Sequence, residues 1–418
     1  MKPEERLKAL NQVLKHCQAS PFYRGRLPTL PLSSLEEIKQ IPLTTKEDLK
    51  DISPFGLICV NPTELFQYHE TFGTTGTPVS TWYTREDFRS NVRQIARWGV
   101  NFKKGDRVLI RFPYAISGIA HLIHALAQMQ GACVIPAGAR TTVSPFPRII
   151  NLLQKLEVTV LACLPLQAVL LAETAEMLGH QPDHDFPHLR AIGTAGEVLS
   201  PARRKLLEDI WGVPVFDNYG MTEIGAAVLD CQFRESHPLE DSFIFEILGE
   251  DRATEVKPGE AGYLVVTTLN RKAAPILRYF TGDRARLVQT VCPCGKGLSL
   301  QIVGRQEDAL KVGGREFYLG DLEEIVSHLP CRRFWVAGPS RDGLRLVVEL
   351  EKPTGGISAE RLRMLEDRYN IKLEIEMVPR GTLYDRDQLL DLGVVGKPKY
   401  LYSAAEIEQK KYVKSTKL

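Results

Sequence analysis

The first eighteen residues carry apolar side chains at Leu7, Leu10, Val13, Leu14 and Cys17, the spacing of one helical face. Ser20-Pro21-Phe22-Tyr23 then ends that helix in a turn. After Gly105-Asp106 a steadier rhythm begins. Residues 107–112 read as a buried strand, 118–130 as a helix and 132–136 as a second strand. Helices follow at 147–156, 166–177 and 201–211, with strands at 159–163, 189–192 and 213–216. Strand and helix alternating at this length predict a mostly parallel sheet covered by helices. Beyond Gly225 the pattern changes. Residues 243–248, 263–269, 276–279 and 285–288 have strand character with no helix between them, which predicts an antiparallel unit. After about residue 303 a smaller unit alternates helix 323–329, strand 345–351, helix 359–369 and strand 373–377. The expected fold is α/β. A large N-terminal domain over 1–303 joins a parallel sheet to a β-rich subdomain, and a small α+β domain covers 304–418.

Composition narrows the function. A chain of 418 residues exceeds one hydrophobic core, and 44% apolar with 25% charged residues excludes disorder and coiled coil. Lys plus Arg number 53 against 51 Asp plus Glu, so no net field steers nucleic acid or anionic lipid. A small-molecule partner is expected. The most apolar stretch, 110–136, is broken by Arg111, Pro113, His121, His124 and Gln128, which argues against a membrane span. The charged start, Met1-Lys2-Pro3-Glu4-Glu5-Arg6, has no apolar run behind it, so no secretory leader is expected. Cys17, Cys59, Cys133 and Cys163 are scattered in apolar or helical contexts, as reduced thiols of a cytoplasmic protein would be. Cys331 reads as a further ordinary thiol. His121 and His124 lie at helical spacing and predict a packed helix face.

Neither Gly-x-x-x-x-Gly-Lys-Ser/Thr nor a Gly-x-Gly-x-x-Gly after a strand occurs, which disfavours P-loop and Rossmann chemistry. Thr71-Phe72-Gly73-Thr74-Thr75-Gly76-Thr77-Pro78 is a glycine- and hydroxyl-rich loop whose backbone can approach an anion. Alone it reads equally as a tight turn. Asp217-Asn218-Tyr219-Gly220-Met221-Thr222-Glu223 follows a predicted strand, where α/β sheets bind ligands. Arg278-Tyr279-Phe280-Thr281-Gly282-Asp283 offers a carboxylate suited to two ribose hydroxyls, although Thr-Gly-Asp is also an ordinary turn.

Further blocks follow in order: Gly304-Arg305-Gln306-Glu307-Asp308, Lys311-Val312-Gly313-Gly314 and Gly396-Lys397-Pro398-Lys399. With Ile41-Pro42-Leu43-Thr44-Thr45-Lys46 and Thr194-Ala195-Gly196-Glu197, the chain resembles the adenylate-forming (ANL) superfamily, in its phenylacetate–CoA ligase-like branch. The resemblance runs from about Ser20 to about Lys399. It implies ATP-dependent activation of an aryl or arylacetic acid as acyl-AMP, then thioester formation with CoA. Transfer to an amine or a carrier-protein thiol shares the same motifs and stays open, as does a catalytically dead scaffold. A homodimer is left open as well.

The resemblance also implies roles. Thr74, Thr75 and Gly76 form the phosphate loop. Gly196 and Glu197 border adenine, with Asp217, Asn218 and Gly220 completing the nucleotide site. Tyr219 stacks on the base or the acyl group, and Thr222 contacts phosphate. Glu223 binds Mg²⁺, Asp283 the ribose, and Arg305 lies near the nucleotide. Lys397 is the mobile catalytic lysine, and the C-terminal domain rotates near Glu307. Tyr114, Ala115 and Ile116, with Gly193, Thr194 and Ala195, line the acyl pocket. The loop departs from its usual pattern at two places, with Phe72 replacing a serine and Thr77 standing where a lysine is usual. Cys231 and His237, followed by Cys292-Pro293-Cys294-Gly295, form a three-plus-one thiolate and imidazole set suited to tetrahedral, structural Zn²⁺.

Overall fold

A computed structural model describes residues 2–71, 77–139, 141–331, 333–350, 356–391, 397–414 and 416–417, with backbone alone at 397 and 416–417. Its central sheet has seven strands in the order Cys133–Ile135, Arg107–Ile110, Val160–Cys163, Ala191–Ala195, Val215–Met221, Gly225–Asp230 and Ser236–Pro238. The first five run parallel, and Gly225–Asp230 pairs antiparallel with both of its neighbours. The inner strands are buried on both faces, which is why Val160–Cys163 and Ala191–Ala195 read as unbroken apolar or small-residue runs. Helix Pro201–Trp211 starts at a Ser200 cap that accepts from the Arg203 amide, and ends at Gly212 in the left-handed region.

A second, antiparallel sheet holds Phe243–Leu248, Ala261–Thr268, Tyr279–Gln289 and Leu298–Arg305 in sequence order. Here the two strands expected at 276–279 and 285–288 are one continuous strand. The polar Thr281-Gly282-Asp283 step interrupts the apolar pattern and bulges against Ala261–Thr268, which pairs on either side of it at Phe280 and Arg284, while pairing with Leu298–Arg305 begins at Asp283. Helix Arg85–Ile95 buries Val92 and Ile95 in the core, and with them the polar Asp87, Asn91 and Gln94. Asp87 closes a capping box with Thr84 and accepts the Lys272 and Ala273 amides at 2.7 and 2.9 Å, so a polar helix is fastened by hydrogen bonds.

The C-terminal residues build a three-stranded sheet, Trp335–Pro339, Gly343–Glu349 and Lys372–Val378, covered by Leu319–Ser327 and Ala359–Tyr369. Leu322, Ile325, Trp335, Leu344 and Leu365 form its own core. A second core is shared. Ile149, Leu161, Leu171 and Ile192 of the large part pack with Phe334, Val347, Tyr384 and Ile407. The helix Pro165–Met177 is buried nearly all round, and Glu173 goes down with it at 2% side-chain exposure. Arg333, Arg380 and Arg386 meet that carboxylate at 2.9, 2.7 and 2.8 Å. Arg386 also reaches Glu349 at 2.6 Å, and Arg203 donates to buried Glu323 at 2.8 Å. No helix among the described residues is long and apolar enough to cross a membrane.

Burial pushes the Glu173 carboxyl up, but Arg386, Arg333 and Arg380 outweigh it and hold it at about 2, against an ordinary 4.5. A depressed folded-state pKa contributes stability above the ordinary value that disappears as pH falls through the folded one. Glu173→Gln is expected to cost on the order of 3 kcal/mol near neutral pH, because it strands buried guanidiniums. The gap to wild type should narrow from pH 4.5 towards 2, which thermal unfolding across that range measures.

Candidate active site

The strand Val215–Met221 leaves the parallel sheet, turns at residues 222–224 and returns antiparallel as Gly225–Asp230. Gly220 is required at this turn. A Cβ there would lie 2.4 Å from the Gly225 carbonyl oxygen and 2.8 Å from the Ala226 Cα. The turn presents Thr222 and Glu223 at the carboxyl end of the sheet, where open α/β sheets bind ligands.

Two cavities meet at this edge. The larger, about 750 Å³, is bordered by Glu197, Tyr219, Asp283, Arg305, Lys399 and Tyr400. The second, about 360 Å³, has Phe112, Pro113, Leu122, Ala195, Thr222 and Glu223 on its walls. Gly196, Glu197, Gly220, Met221 and Arg305 border both, so the two spaces are contiguous. A concave, mixed polar and apolar site of this size suits a nucleotide beside a small organic acid.

Charge in the larger space is organised around Asp283. Its Oδ2 accepts the Tyr219 hydroxyl at 2.6 Å and its Oδ1 the Arg305 Nε–H at 3.1 Å. Burial raises the Asp283 pKa against the pull of Arg305. Burial beside Asp283 also pushes the Tyr219 phenol far above its ordinary range, so it stays a donor. Glu223, 5% exposed, accepts the Tyr279 hydroxyl on Oε1 at 2.9 Å. Arg271 donates to the Glu223 backbone carbonyl and lies 4.4 Å from the centre of the Tyr83 ring. Glu197 accepts the Leu166 amide at 3.1 Å.

Other expected site residues stand farther back. Asp217 accepts from the Thr194 hydroxyl at 2.7 Å, and burial with nearby Asp230 pushes it up to about 7. Neither Asp217 nor Thr194 borders the two cavities. Gly193 seats a tryptophan. Its missing Cβ would lie 2.4 Å from Trp98 Cη2, and Trp98 Nε1 donates to the Asp217 carbonyl at 2.9 Å. Asn218 is 2% exposed and borders the smaller cavity. Thr74, Thr75 and Gly76 lie outside the described residues, as does the Lys397 side chain. The Lys397–Pro398 backbone pairs with Thr416–Lys417, and Pro398 borders the larger cavity.

The loop 113–118 supplies part of one wall of the smaller cavity. Pro113, Ser117 and Gly118 border the smaller cavity, whereas Tyr114, Ala115 and Ile116 do not. Ile116 has φ +66°, a left-handed conformation that a β-branched residue rarely adopts. Its carbonyl accepts the Glu70 amide at 3.2 Å and lies 3.0 Å from His69 Nδ1. Burial pushes His69 down to about 4, which keeps the imidazole neutral. His121 and His124, expected on a packed helix face, contact Tyr114 through its carbonyl at 2.9 Å and its hydroxyl at 3.2 Å.

The predicted metal ligands also converge. One ligand atom each from Cys231, His237, Cys292 and Cys294 lies within 4.8 Å of the others. Cys231 Sγ is 3.6 Å from Cys292 Sγ, and Cys294 Sγ is 3.2 Å from His237 Nε2. His237 Nδ1 is 2.6 Å from the Leu298 carbonyl, so Nδ1 carries the proton and the Nε2 lone pair faces the sulfurs. That donor set fits one tetrahedral cation.

The family model described as AMP-binding enzyme matches residues 31–270. The chain belongs to that family. A phenylacetate–coenzyme A ligase of Thermus thermophilus is 32% identical over 340 residues, 78% of this chain and 75% of that protein. The Escherichia coli protein of the same name is 28% identical over 330 residues, covering 76% and 74%. Among solved structures, 2-hydroxyisobutyryl-CoA ligase in its postadenylation state gives a TM-score of 0.85 at 22% identity, covering 98% of this chain and 91% of that one. The same ligase in the thioesterification state gives 0.70, at 22% identity over 98% and 92%. This AMP-binding enzyme is of the phenylacetate–CoA ligase-like branch of the ANL superfamily.

Tyr279, Trp98 and His69 are positioning residues that no sequence motif marked as such, although Tyr279 stands four residues before Asp283 in a quoted block. Tyr279→Phe removes only the hydroxyl that aims Glu223. Acyl-adenylate formation is expected to slow about tenfold, roughly 1.4 kcal/mol, with the apparent requirement for magnesium raised. Magnesium titration of pyrophosphate release checks this, with thermal unfolding alongside to register any loosening of the core.

Proposed function

We propose that this AMP-binding enzyme is an AMP-forming acid–CoA ligase, activating a carboxylic acid with ATP and transferring the acyl group to the CoA thiol. One observation carries the reading: the cavity bordered by Tyr219, Asp283 and Arg305 opens into the cavity bordered by Glu223 and Ala195. A nucleotide with its base and ribose in the first would carry its phosphates towards Thr222 and Glu223, where it would meet an acid in the second. Phe112, Leu122 and Ala195 support a plain aryl or arylacetic acid.

Each group has a chemical task. A carboxylate is a poor electrophile because oxide does not leave. Attack of its oxygen on the α-phosphorus of ATP expels pyrophosphate and replaces that oxide by AMP. The thiol then attacks the acyl carbon, AMP departs with the electron pair, and the thiol proton passes to solvent. Asp283 holds the ribose hydroxyls with the lone pairs that Tyr219 and Arg305 leave over, and Glu197 borders the base. Glu223 and Thr222 would hold Mg²⁺, which supplies charge neutralisation to the phosphates when bound; Tyr279 keeps the Glu223 carboxylate aimed. Lys397 would cap the α-phosphate during adenylation, as part of a unit over 304–418 that rotates between half-reactions.

Lys399 is held by Glu406 at 2.6 Å and lies 4.2 Å from the centre of the Tyr402 ring, which makes it the natural control. Lys397→Ala is expected to cut acyl-AMP formation by two or more powers of ten, about 3 kcal/mol. Supplied with preformed acyl-AMP, it should form thioester near the wild-type rate. Lys399→Ala should lose far less in the first step. Single-turnover assays of the two half-reactions separate these outcomes.

The cluster of Cys231, His237, Cys292 and Cys294 supports a structural zinc. It lies where Ser236–Pro238 meets Leu298–Arg305, so the ion would tie the two large sheets together. Purified protein is expected to contain one zinc per chain by elemental analysis. Cys292→Ser or prolonged chelation should lower the unfolding midpoint, since metal binding and folding are coupled.

A further inference from the structure

The smaller cavity has cations that the steps above do not use. Lys46 and Lys50 border it together with Thr71, Thr77, Thr222 and Glu223. Both stand on the helix Lys46–Ile52, four residues apart and therefore on one face, while Leu49, 2% exposed, anchors another face in the core. A Thr45–Asp48 capping box starts the helix.

Its position is set by Thr44. The Thr44 amide donates to the Arg278 carbonyl at 2.9 Å, its hydroxyl donates to the Leu277 carbonyl at 2.7 Å, and its carbonyl accepts the Phe280 amide at 2.9 Å. The helix is thereby pinned to the segment that carries Tyr279 and Asp283. The helix that carries the two lysines is thus placed on the same segment as Tyr279, which holds Glu223.

Among the described residues neither ammonium has an ion-pair or hydrogen-bond partner. The cavity's other cation, Arg305, is committed to Asp283 at 3.1 Å. Lysine is strongly hydrated and costly to draw from water, so two unpaired ammoniums bordering one partly enclosed space call for an anion. Thr71 and Thr77, which border the same space, bring hydroxyls to it and no cation.

We infer that Lys46 and Lys50 grip the β- and γ-phosphates of ATP and the departing pyrophosphate, as catalytic cations supplied by the N-terminal helix in place of a loop lysine. In adenylation the carboxylate oxygen forms a bond to the α-phosphorus while the bond from that phosphorus to the bridging oxygen breaks. The electron pair and its negative charge leave with pyrophosphate, and no proton moves. Two fixed ammoniums where that charge accumulates stabilise the transition state more than bound ATP. The inference rests on the ligase reading proposed above.

The test is acid-dependent ATP–pyrophosphate exchange by wild type, Lys46→Met, Lys50→Met, the double variant and the two Lys→Arg variants. Wild-type exchange that depends on a carboxylic acid establishes the underlying reading; its absence would sink that reading rather than this one. With exchange present, each Met variant is expected to raise the pyrophosphate KM at least tenfold and lower the forward rate. AMP affinity should stay within about twofold, and Lys→Arg should restore much of the loss. Thioester formation from preformed acyl-AMP should change little, since no pyrophosphate takes part.

An unchanged pyrophosphate KM in the double variant would overturn the inference. So would a defect confined to the acid KM or to the CoA half-reaction, which would assign the lysines to a second acidic group or to the phosphates of CoA. A second measurement stands apart from variant folding. Acetylation of Lys46 and Lys50 in wild-type protein, read by mass spectrometry, should be suppressed by magnesium pyrophosphate and not by AMP. Equal labelling with and without pyrophosphate counts against the assignment.

Discussion

A buried carboxylate ties together the pieces from which the site is built. Asp283 binds Tyr219 of the seven-stranded sheet through one oxygen and Arg305, the last residue of Leu298–Arg305, through the other. Three strands from two sheets therefore converge on one charge. Desolvation disfavours that charge, and the guanidinium and phenol offset part of the cost. Such an arrangement orders its surroundings because each partner, left alone, would be a buried unpaired group. The same strand carries Tyr279 to Glu223 and meets Thr44 through the backbone. Asp283, Glu223 and the helix Lys46–Ile52 thus share one reference in the strand Tyr279–Gln289.

The joint between the large part and the C-terminal residues uses two kinds of force. Apolar side chains from both sides make one core, which favours contact without selecting a precise register. The charges supply the register. Glu173 meets three arginines, Arg386 bridges on to Glu349, and Arg203 meets Glu323. Buried ion pairs of this sort contribute little net energy over apolar packing, yet they make a slipped arrangement expensive. The larger cavity lies along this joint, so its shape depends on that register.

Positioning in the smaller cavity is done largely by backbone groups and neutral rings. The carbonyl of Ile116, in a left-handed conformation, takes the Glu70 amide and faces His69. A neutral imidazole there brings no charge to that side of the smaller cavity. Trp98 fills the space above Gly193 and reaches the Asp217 carbonyl, bracing the sheet from beneath the cavity. The residues that shape the pocket are therefore mostly not those that touch its contents.

The sequence by itself determined whatever depends on local periodicity or on short motifs. Helices Pro201–Trp211 and Ala359–Tyr369 and strand Phe243–Leu248 stand where apolar spacing predicted them. The order of glycine-, hydroxyl- and carboxylate-bearing blocks led to the AMP-binding family, and the cysteine spacing led to a cluster that closes in space. Tertiary structure decided the rest, for reasons that no local window contains. Helix Arg85–Ile95 buries Asp87 beside the apolar Val92 and Ile95 because the partners of that carboxylate are backbone amides nearly two hundred residues away. Residues 276–288 divide into two segments by pattern and form a single strand from Tyr279 onward because one neighbour pairs on either side of the polar step and the other takes over from Asp283. Lys46 and Lys50 look like solvated surface charges until Thr44 draws their helix against the segment before Asp283. Burial and pairing are properties of what lies opposite a residue, and only the folded chain supplies the opposite side.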